Sequence, residues 1–266
     1  MPELPEVETI VRHLKLRLQG KKITAMCTDT PRLFRGGNFE QIIKRAKGKT
    51  IEKVDREGKN ICLRLSGGET LAIHLMMSGK LLHLAVEQPS EKHIHFWIKL
   101  SGGKYLALHD IRKFGWVRLL GKGNKFTIGP DALAVPLSEF KEIIRKRKGV
   151  IKNILLNQKL ISGIGNIYSD EILWHAEIHP LRRADSLTEK ELKHIHTAVK
   201  KVLRLAIKKE GTSFSDYRKP DGSEGGYFRI RKVYAREGEK CSKDGTIMER
   251  LVISQRSACF CPKHQK

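Results

Sequence analysis

Two stretches of this chain, Leu63–His74 and Ile98–His109, follow one plan. In the first, Leu63 and Leu65 alternate with polar neighbours, Ser66-Gly67-Gly68-Glu69 reverses the chain, and Leu71 and Ile73 resume the alternation. In the second, Ile98 and Leu100 lead into Ser101-Gly102-Gly103-Lys104, and Leu106 and Leu108 follow. Alternation of period two places the apolar side chains on one face of a strand, and the glycines supply the positive φ of a tight reversal. Hairpins with one apolar face need a further layer to cover it. The region from about residue 22 to 120 is therefore expected to be an antiparallel sheet system, either sandwich or barrel. The echo is too short to indicate a repeat array.

The flanking segments carry a different period. Val7, Ile10, Val11, Leu14 and Leu18 recur at helical spacing before Gly20, which is placed to end a helix. After Gly129-Pro130, apolar residues again recur helically in 137–148, in 150–156, after Gly163-Ile164-Gly165-Asn166, and in 188–209, where Leu192, Ile195, Val199, Val202 and Leu203 share a face. From about 229 the pattern returns to short strands. The chain is thus expected to be α+β and multidomain, with a sheet domain over 1–133, a helical domain over 134–228 and a β-hairpin over 229–266.

Charge narrows the class of partner. With 52 Lys and Arg against 29 Asp and Glu, the 266 residues carry +23, a self-repulsion best offset by a polyanion. No apolar run approaches the length of a membrane span, and the acidic start lacks the basic, apolar character of a secretion signal. A cytoplasmic protein is expected. Its five cysteines then argue against a disulfide scaffold, and Cys241, Cys259 and Cys261 crowd into the tail like metal ligands.

The first ten residues hold three acids and no base, against the trend of the chain. Removal of Met1 would leave Pro2 as a secondary amine, titrating at about 7.7–8.0. Such an amine can attack an electrophilic sugar carbon and form an iminium, while Glu3, Glu6 and Glu8 can move protons. The alternative is that Pro2 merely begins the chain and the glutamates favour a helix N-terminus.

Met1-Pro2-Glu3-Leu4-Pro5-Glu6-Val7-Glu8 resembles the opening of the bacterial formamidopyrimidine-DNA glycosylases. The resemblance continues, in that family's order, through His74-Leu75-Met76-Met77-Ser78-Gly79, Asp110-Ile111-Arg112-Lys113-Phe114-Gly115, Ile164-Gly165-Asn166-Ile167-Tyr168 with Asp170-Glu171, and the C-terminal cysteine hairpin. It covers the whole chain. It implies an N-terminal β-sandwich flanked by helices, a helix–two-turn–helix domain and a zinc hairpin, acting as a monomer on double-stranded DNA with oxidised bases or abasic sites. It implies further that Pro2 attacks C1′ of an oxidised purine nucleotide, that Glu3 protonates the sugar ring oxygen, and that Glu6 assists. Lys59 would lie near the scissile phosphate, and successive eliminations would expel both phosphates.

An enzyme acting at C1′ must extrude its nucleotide and fill the gap. Met77, Arg112 and Phe114 match the family residues that do so, in segments whose following glycines suggest exposed tips. His74 belongs to the first of these motifs, and Lys113 stands where some relatives have a second arginine. Asn166 can cap its helix, and by resemblance it and Lys159 grip phosphates. Residues 141–160 carry seven bases and one acid, as a DNA-facing surface would. The polar, glycine-rich stretch Ser213–Phe228, with Arg218 and Tyr227, resembles the family loop that covers 8-oxoguanine; otherwise it is a flexible connector.

Four-cysteine zinc knuckles in this family have the spacing Cys-x2-Cys-x16-Cys-x2-Cys. The same spacing here holds Cys241, Asp244, Cys261 and His264. One zinc per chain on these four is expected, since His and Asp are both within zinc chemistry. Cys259 in place of Asp244, and a hairpin without metal, remain open. Arg256 matches the hairpin arginine that reaches DNA phosphates. An oxidised-pyrimidine-preferring relative, a non-catalytic zinc-ribbon nucleic-acid-binding protein, and a metal-dependent phosphodiesterase are the rival readings.

Overall fold

In the computed structural model, which describes residues 1–85, 91–214 and 217–266, both Ser-Gly-Gly segments close hairpins, and by the same bonds. Leu65 N–H donates to Glu69 O at 2.8 Å and Gly68 N–H to Leu65 O at 3.0 Å; Leu100 N–H donates to Lys104 O at 2.8 Å and Gly103 N–H to Leu100 O at 3.2 Å. All four turn glycines have φ between 78° and 89°. The two hairpins nevertheless lie in different sheets. Strands β1 (Ile23–Thr28), β5 (Lys80–Leu84), β6 (Ile94–Leu100) and β7 (Tyr105–His109) form one sheet in the order β1-β6-β7-β5. Strands β2 (Ile51–Glu57), β3 (Asn60–Leu65), β4 (Thr70–His74) and β8 (Trp116–Leu120) form the other in the order β2-β3-β4-β8.

One apolar cluster joins them. It takes Ile23, Ile98, Leu106 and Leu108 from the first sheet and Ile61, Leu63, Leu71 and Val117 from the second. The sheet system is therefore a sandwich. Helix α1 (Leu4–Leu18) adds Val7, Ile10, Leu14 and Leu18 to the same core and ends where expected, before Gly20 at φ 81°. Helix α2 (Phe39–Ala46) lies inside the region expected to be all strand; Asn38 caps it by accepting the Glu40 N–H at 2.7 Å. It buries only Ile42 and Ala46, too narrow an apolar stripe to stand out from sequence.

The helical region comprises α3 (Leu137–Arg145), α4 (Ile151–Leu156), α5 (Asn166–Ala176) and α6 (Glu189–Lys208), followed by the hairpin β9 (Glu249–Ile253) and β10 (Arg256–Phe260). The face of α6 read from spacing is the buried one. Among the described residues no helix is long and apolar enough to cross a membrane.

The compact units divide the chain differently from the expected boundaries at 133 and 228. One comprises Met1–Phe126 with Lys209–Phe228, the other Thr127–Lys208 with Arg229–Lys266. The segment after α6 belongs with the sandwich because backbone ties it there. Thr212 N–H donates to Glu6 at 2.7 Å. Within the segment its two ends meet, where a Cβ on Gly225 would stand 2.4 Å from the carbonyl oxygens of Glu210 and Gly211, a clash that glycine avoids. The hairpin joins the helices through Lys152, whose ammonium pairs with Asp170 of α5 and donates to Ser257 O of β10 at 2.7 Å.

Candidate active site

Two of the three N-terminal acids are buried, at 2% exposure for Glu3 and 1% for Glu6, and Pro2 beside them is buried as well, whereas Glu8 is part-exposed and pairs with Arg12 and Arg56. Burying carboxylates is costly unless donors meet them. Glu6 meets two: its Oε2 accepts the Glu3 N–H at 2.8 Å, and its Oε1 accepts the Thr212 N–H at 2.7 Å. It also sits in the first turn of α1, where the helix dipole favours negative charge. Gly211, at φ 83°, admits this approach; a Cβ there would lie 2.9 Å from the Glu6 carboxylate. The residue next to Pro2 and the segment at 212 thus share one carboxylate.

Lys59 occupies the two-residue turn between β2 and β3, after Gly58 at φ 57°, and is only 6% exposed. Its charge reaches His74. Burial first, then Lys59 and Arg35, push the His74 imidazole down to about 4. The neutral ring accepts the Met76 N–H on Nδ1 at 3.0 Å and stacks on Trp116 at 5.2 Å.

Both segments expected to form exposed tips do so. Met76 (φ 50°) and Lys113 (φ 55°) turn the backbone through the left-handed region without glycine. Met77 and Phe114 are left 44% and 46% exposed, and the Arg112 guanidinium lies 4.7 Å over the Phe114 ring and 3.5 Å from Met77 Sδ. Asp110, fully buried, builds the arrangement: its Oδ1 accepts the Ser78 hydroxyl at 2.5 Å and its Oδ2 the Gly115 N–H at 2.7 Å. Against the cost of burial, hydrogen bonds from Thr30 and His95 hold the Asp29 carboxyl below its ordinary range, and the charge of Lys113 adds to that. The organising part of Asp110 was missed from sequence, although an Asp opening a turn that ends in glycine is an Asx-turn signal.

In the helical unit Asn166 does not cap α5. Gly165 is the N-cap and Asn166 the first helical residue, so its side chain is free to donate to Ser257 Oγ at 3.2 Å, next to Arg256. Arg256 is exposed, beside a turn formed by Ser254 (φ 46°) and Gln255 (φ 64°). Lys159 is exposed after Asn157, whose side chain accepts its N–H at 3.0 Å. Glu171 was also unassigned from sequence; it is fully buried and accepts the backbone N–H groups of Lys232, Val233 and Tyr234 at 2.8–3.0 Å.

Residues 215 and 216 of the glycine-rich stretch lie outside the described residues. Within the rest, Arg218 pairs with Glu224 at 2.9 Å and remains partly exposed. Tyr227 is buried at 1%, so it anchors the segment and does not present a ring to a ligand. Phe214, which the sequence reading passed over, is 54% exposed and packs 4.9 Å from Phe228.

At the hairpin, Cys241, Asp244 and Cys261 bring one ligand atom each to within 4.8 Å of one another. Cys259 stands apart, its thiol donating to Glu237 at 3.3 Å, so the alternative ligand set is not assembled. His264 is also outside the cluster, but its backbone N–H donates to Cys261 Sγ at 3.4 Å and its Nε2 faces Trp174 O at 3.1 Å. A carbonyl only accepts, so Nε2 is the donor, and Nδ1 is the ring nitrogen left to serve a metal. Two sulfurs, one carboxylate and such an imidazole suit zinc.

The model of the formamidopyrimidine-DNA glycosylase N-terminal domain matches residues 1–117, and that of the formamidopyrimidine-DNA glycosylase H2TH domain matches 128–218. The formamidopyrimidine-DNA glycosylase of Chloroflexus aurantiacus is 41% identical over 274 residues, covering 100% of this chain and 98% of that protein. A Lactococcus lactis FPG mutant, G226P, in complex with Fapy-dG-containing DNA superposes with a TM-score of 0.93 at 36% identity, covering 100% of both chains. MutM in complex with carbocyclic 8-oxo-G-containing DNA gives 0.92 at 36% identity, again over 100% of both. With both domain models matched in order, and a relative above 40% identity along its whole length, this chain belongs to the formamidopyrimidine-DNA glycosylase family.

Proposed function

We propose that the chain excises oxidised purines, 8-oxoguanine and formamidopyrimidines, from duplex DNA and then cleaves the strand at the abasic site, as a monomer in the cytoplasm. The observation that carries this reading is the setting of Pro2: it is buried just ahead of α1, next in the chain to buried Glu3, whose N–H is held by a Glu6 carboxylate that the Thr212 N–H also fixes. After loss of Met1, the Pro2 nitrogen forms a bond to C1′ as the glycosidic bond breaks; the electron pair of that bond leaves with the base, which takes up the proton that the amine nitrogen gives up. Glu3 gives a proton to the ring oxygen, the sugar opens, and the nitrogen lone pair completes an iminium. That cation acidifies the C2′ proton; its loss expels the 3′ phosphate, a second elimination expels the 5′ phosphate, and water returns the amine. Lys59 supplies positive charge beside the reacting phosphate.

The relatives found in complex with Fapy-dG and 8-oxo-G DNA support the purine preference. Met77, Arg112 and Phe114 fill the space of the extruded nucleotide; Lys159, Asn166, Arg256 and Lys113 contact phosphates, with neutral His74 as a further donor. Arg218 belongs to the segment that meets the base. Zinc, held by Cys241, Asp244, Cys261 and His264, would fix the hairpin; metal analysis should return about one zinc per chain and less from Asp244→Ala, and its absence from the intact protein refutes the site.

Borohydride should trap the protein covalently on duplexes carrying 8-oxoguanine or an abasic site, and a variant with a blocked N-terminus should lose trapping by on the order of a thousandfold. No trapping on any lesion would leave a non-catalytic DNA-binding protein. Trapping on oxidised pyrimidines alone would reverse the assigned preference.

A further inference from the structure

One face of α1 does more than pack on the sandwich. Glu6, Thr9 and His13, spaced to lie along a single stripe, all meet the returning segment 209–228. Glu6 holds the Thr212 N–H, Thr9 meets the Tyr217 hydroxyl, and His13 Nε2 lies 3.2 Å from Glu210 Oε1. The other carboxylate oxygen of Glu210 takes Lys219 Nζ at 2.7 Å. Lys219 opens the tight turn at the far end of the segment, its N–H donating to Ser223 O at 2.9 Å. Glu210 therefore bridges helix and turn.

Its backbone is unusual for a glutamate. Glu210 has φ 58°, a conformation an L side chain adopts only at a cost, yet the residue beside it in the same turn is a glycine. Glycine at 210 would be easier to fold. What the glutamate adds is the pair of charge-assisted contacts, with side chains of His13 and Lys219 that are only 20% and 11% exposed. Lys219 also holds the Glu210 carboxyl below its ordinary range. Across the root, Gly226 N–H donates to Lys209 O at 2.7 Å and Tyr227 N–H to Gly211 O at 3.0 Å, so the segment leaves and re-enters at one fixed point.

We propose that Glu210 is a positioning residue for base excision: clasped between His13 and Lys219, it fixes the 217–224 turn relative to α1, at whose head Pro2 stands. The clasp serves recognition of the damaged base, and an abasic site, which has none, does not need it. This rests on the function proposed above.

The test compares single-turnover excision of 8-oxoguanine from a duplex with strand cleavage at a preformed abasic site, for the intact protein, Glu210→Gly, Glu210→Gln, Lys219→Met and the Glu210→Gly/Lys219→Met double variant. Glu210→Gly and Lys219→Met should each lower excision about tenfold and leave abasic-site cleavage within about twofold. The double variant should be no worse than Glu210→Gly alone, because that substitution has already broken the contact that Lys219 makes. Glu210→Gln, which keeps one hydrogen bond, should recover part of the loss. The thermal midpoint of Glu210→Gly should not fall, since the glycine relieves the backbone; a merely structural glutamate would lower the midpoint and both activities together. Equal losses on the two substrates, or unaltered excision, overturn the clasp. An intact protein that cleaves abasic sites but leaves oxidised purines in place overturns the substrate reading, and the clasp with it.

Discussion

Each unit of the molecule uses a buried glutamate to hold backbone from a distant part of the chain, and the two do it differently. Glu171, inside α5, turns its carboxylate to the N–H groups of three consecutive residues, Lys232 to Tyr234. Successive amides converging on one anion form a nest, and a nest has a single geometry. Glu6, in the first turn of α1, divides its oxygens between Glu3, beside Pro2, and Thr212. The first arrangement anchors a segment. The second joins the segment that carries Pro2 to the segment that returns after α6, so a change on one side is felt on the other.

Substitution should separate the two most sharply in stability. Glu171→Ala leaves the buried Val233 N–H and the part-buried N–H groups of Lys232 and Tyr234 unmet; at about 1–3 kcal/mol for a buried orphan and less where water can reach, a loss of about 3 kcal/mol is expected. Denaturant unfolding measures it; a loss under about 1 kcal/mol would show that water or a rearranged loop replaces the carboxylate. Glu6→Gln is milder. The amide keeps an oxygen for one N–H but turns an NH2 toward the other, costing about 1–2 kcal/mol in stability. Excision should nevertheless fall by about tenfold or more, as positioning errors act on the reaction more strongly than on folding. If stability and excision fall in step, Glu6 is an anchor like Glu171.

The smallest effect compares the units through one histidine each. His74 in the sandwich and His175 in the helical unit are both pushed down to about 4, mainly by burial, with Lys59 and Arg35 adding at His74 and Lys201 and Lys232 at His175. The unfolded chain takes up a proton near 6.5 that the folded chain refuses until about 4. Stability is thus complete above about pH 6.5 and is lost as pH falls toward 4. Allowing for partial solvent contact, about 1–2 kcal/mol per histidine is at stake. His74→Gln and His175→Gln should each flatten that acid limb in pH-dependent melts; an unchanged slope in either would mean its ring is protonated in the fold.

Much of this was legible beforehand because it is local. The Ser-Gly-Gly turns declare their own φ, the α6 stripe its own buried face, and the spacing of Cys241, Asp244, Cys261 and His264 the outline of two knuckles. Asn166 shows the limit of local reading: a polar residue at a helix start fits a cap, but Gly165 takes that place and Ser257, 91 positions away, takes the side chain. Tyr227 likewise reads as a loop aromatic until packing buries it.

The sequence alone determined the chemistry available: a proline amine beside acids, cationic segments for phosphate, and sulfur, carboxylate and imidazole donors at knuckle spacing. Residue identity and short-range spacing suffice for that, since both are properties of neighbours in the chain. Tertiary structure alone decided which groups act on which. It sent two nearly identical hairpins to opposite sheets, returned 209–228 to the sandwich, and placed Asp110 beneath the Met77–Arg112–Phe114 tip. The reason is that a buried carboxylate must find donors wherever the fold brings them, and periodicity in a sequence carries no record of contacts between residues two hundred positions apart, such as Glu6 and Thr212.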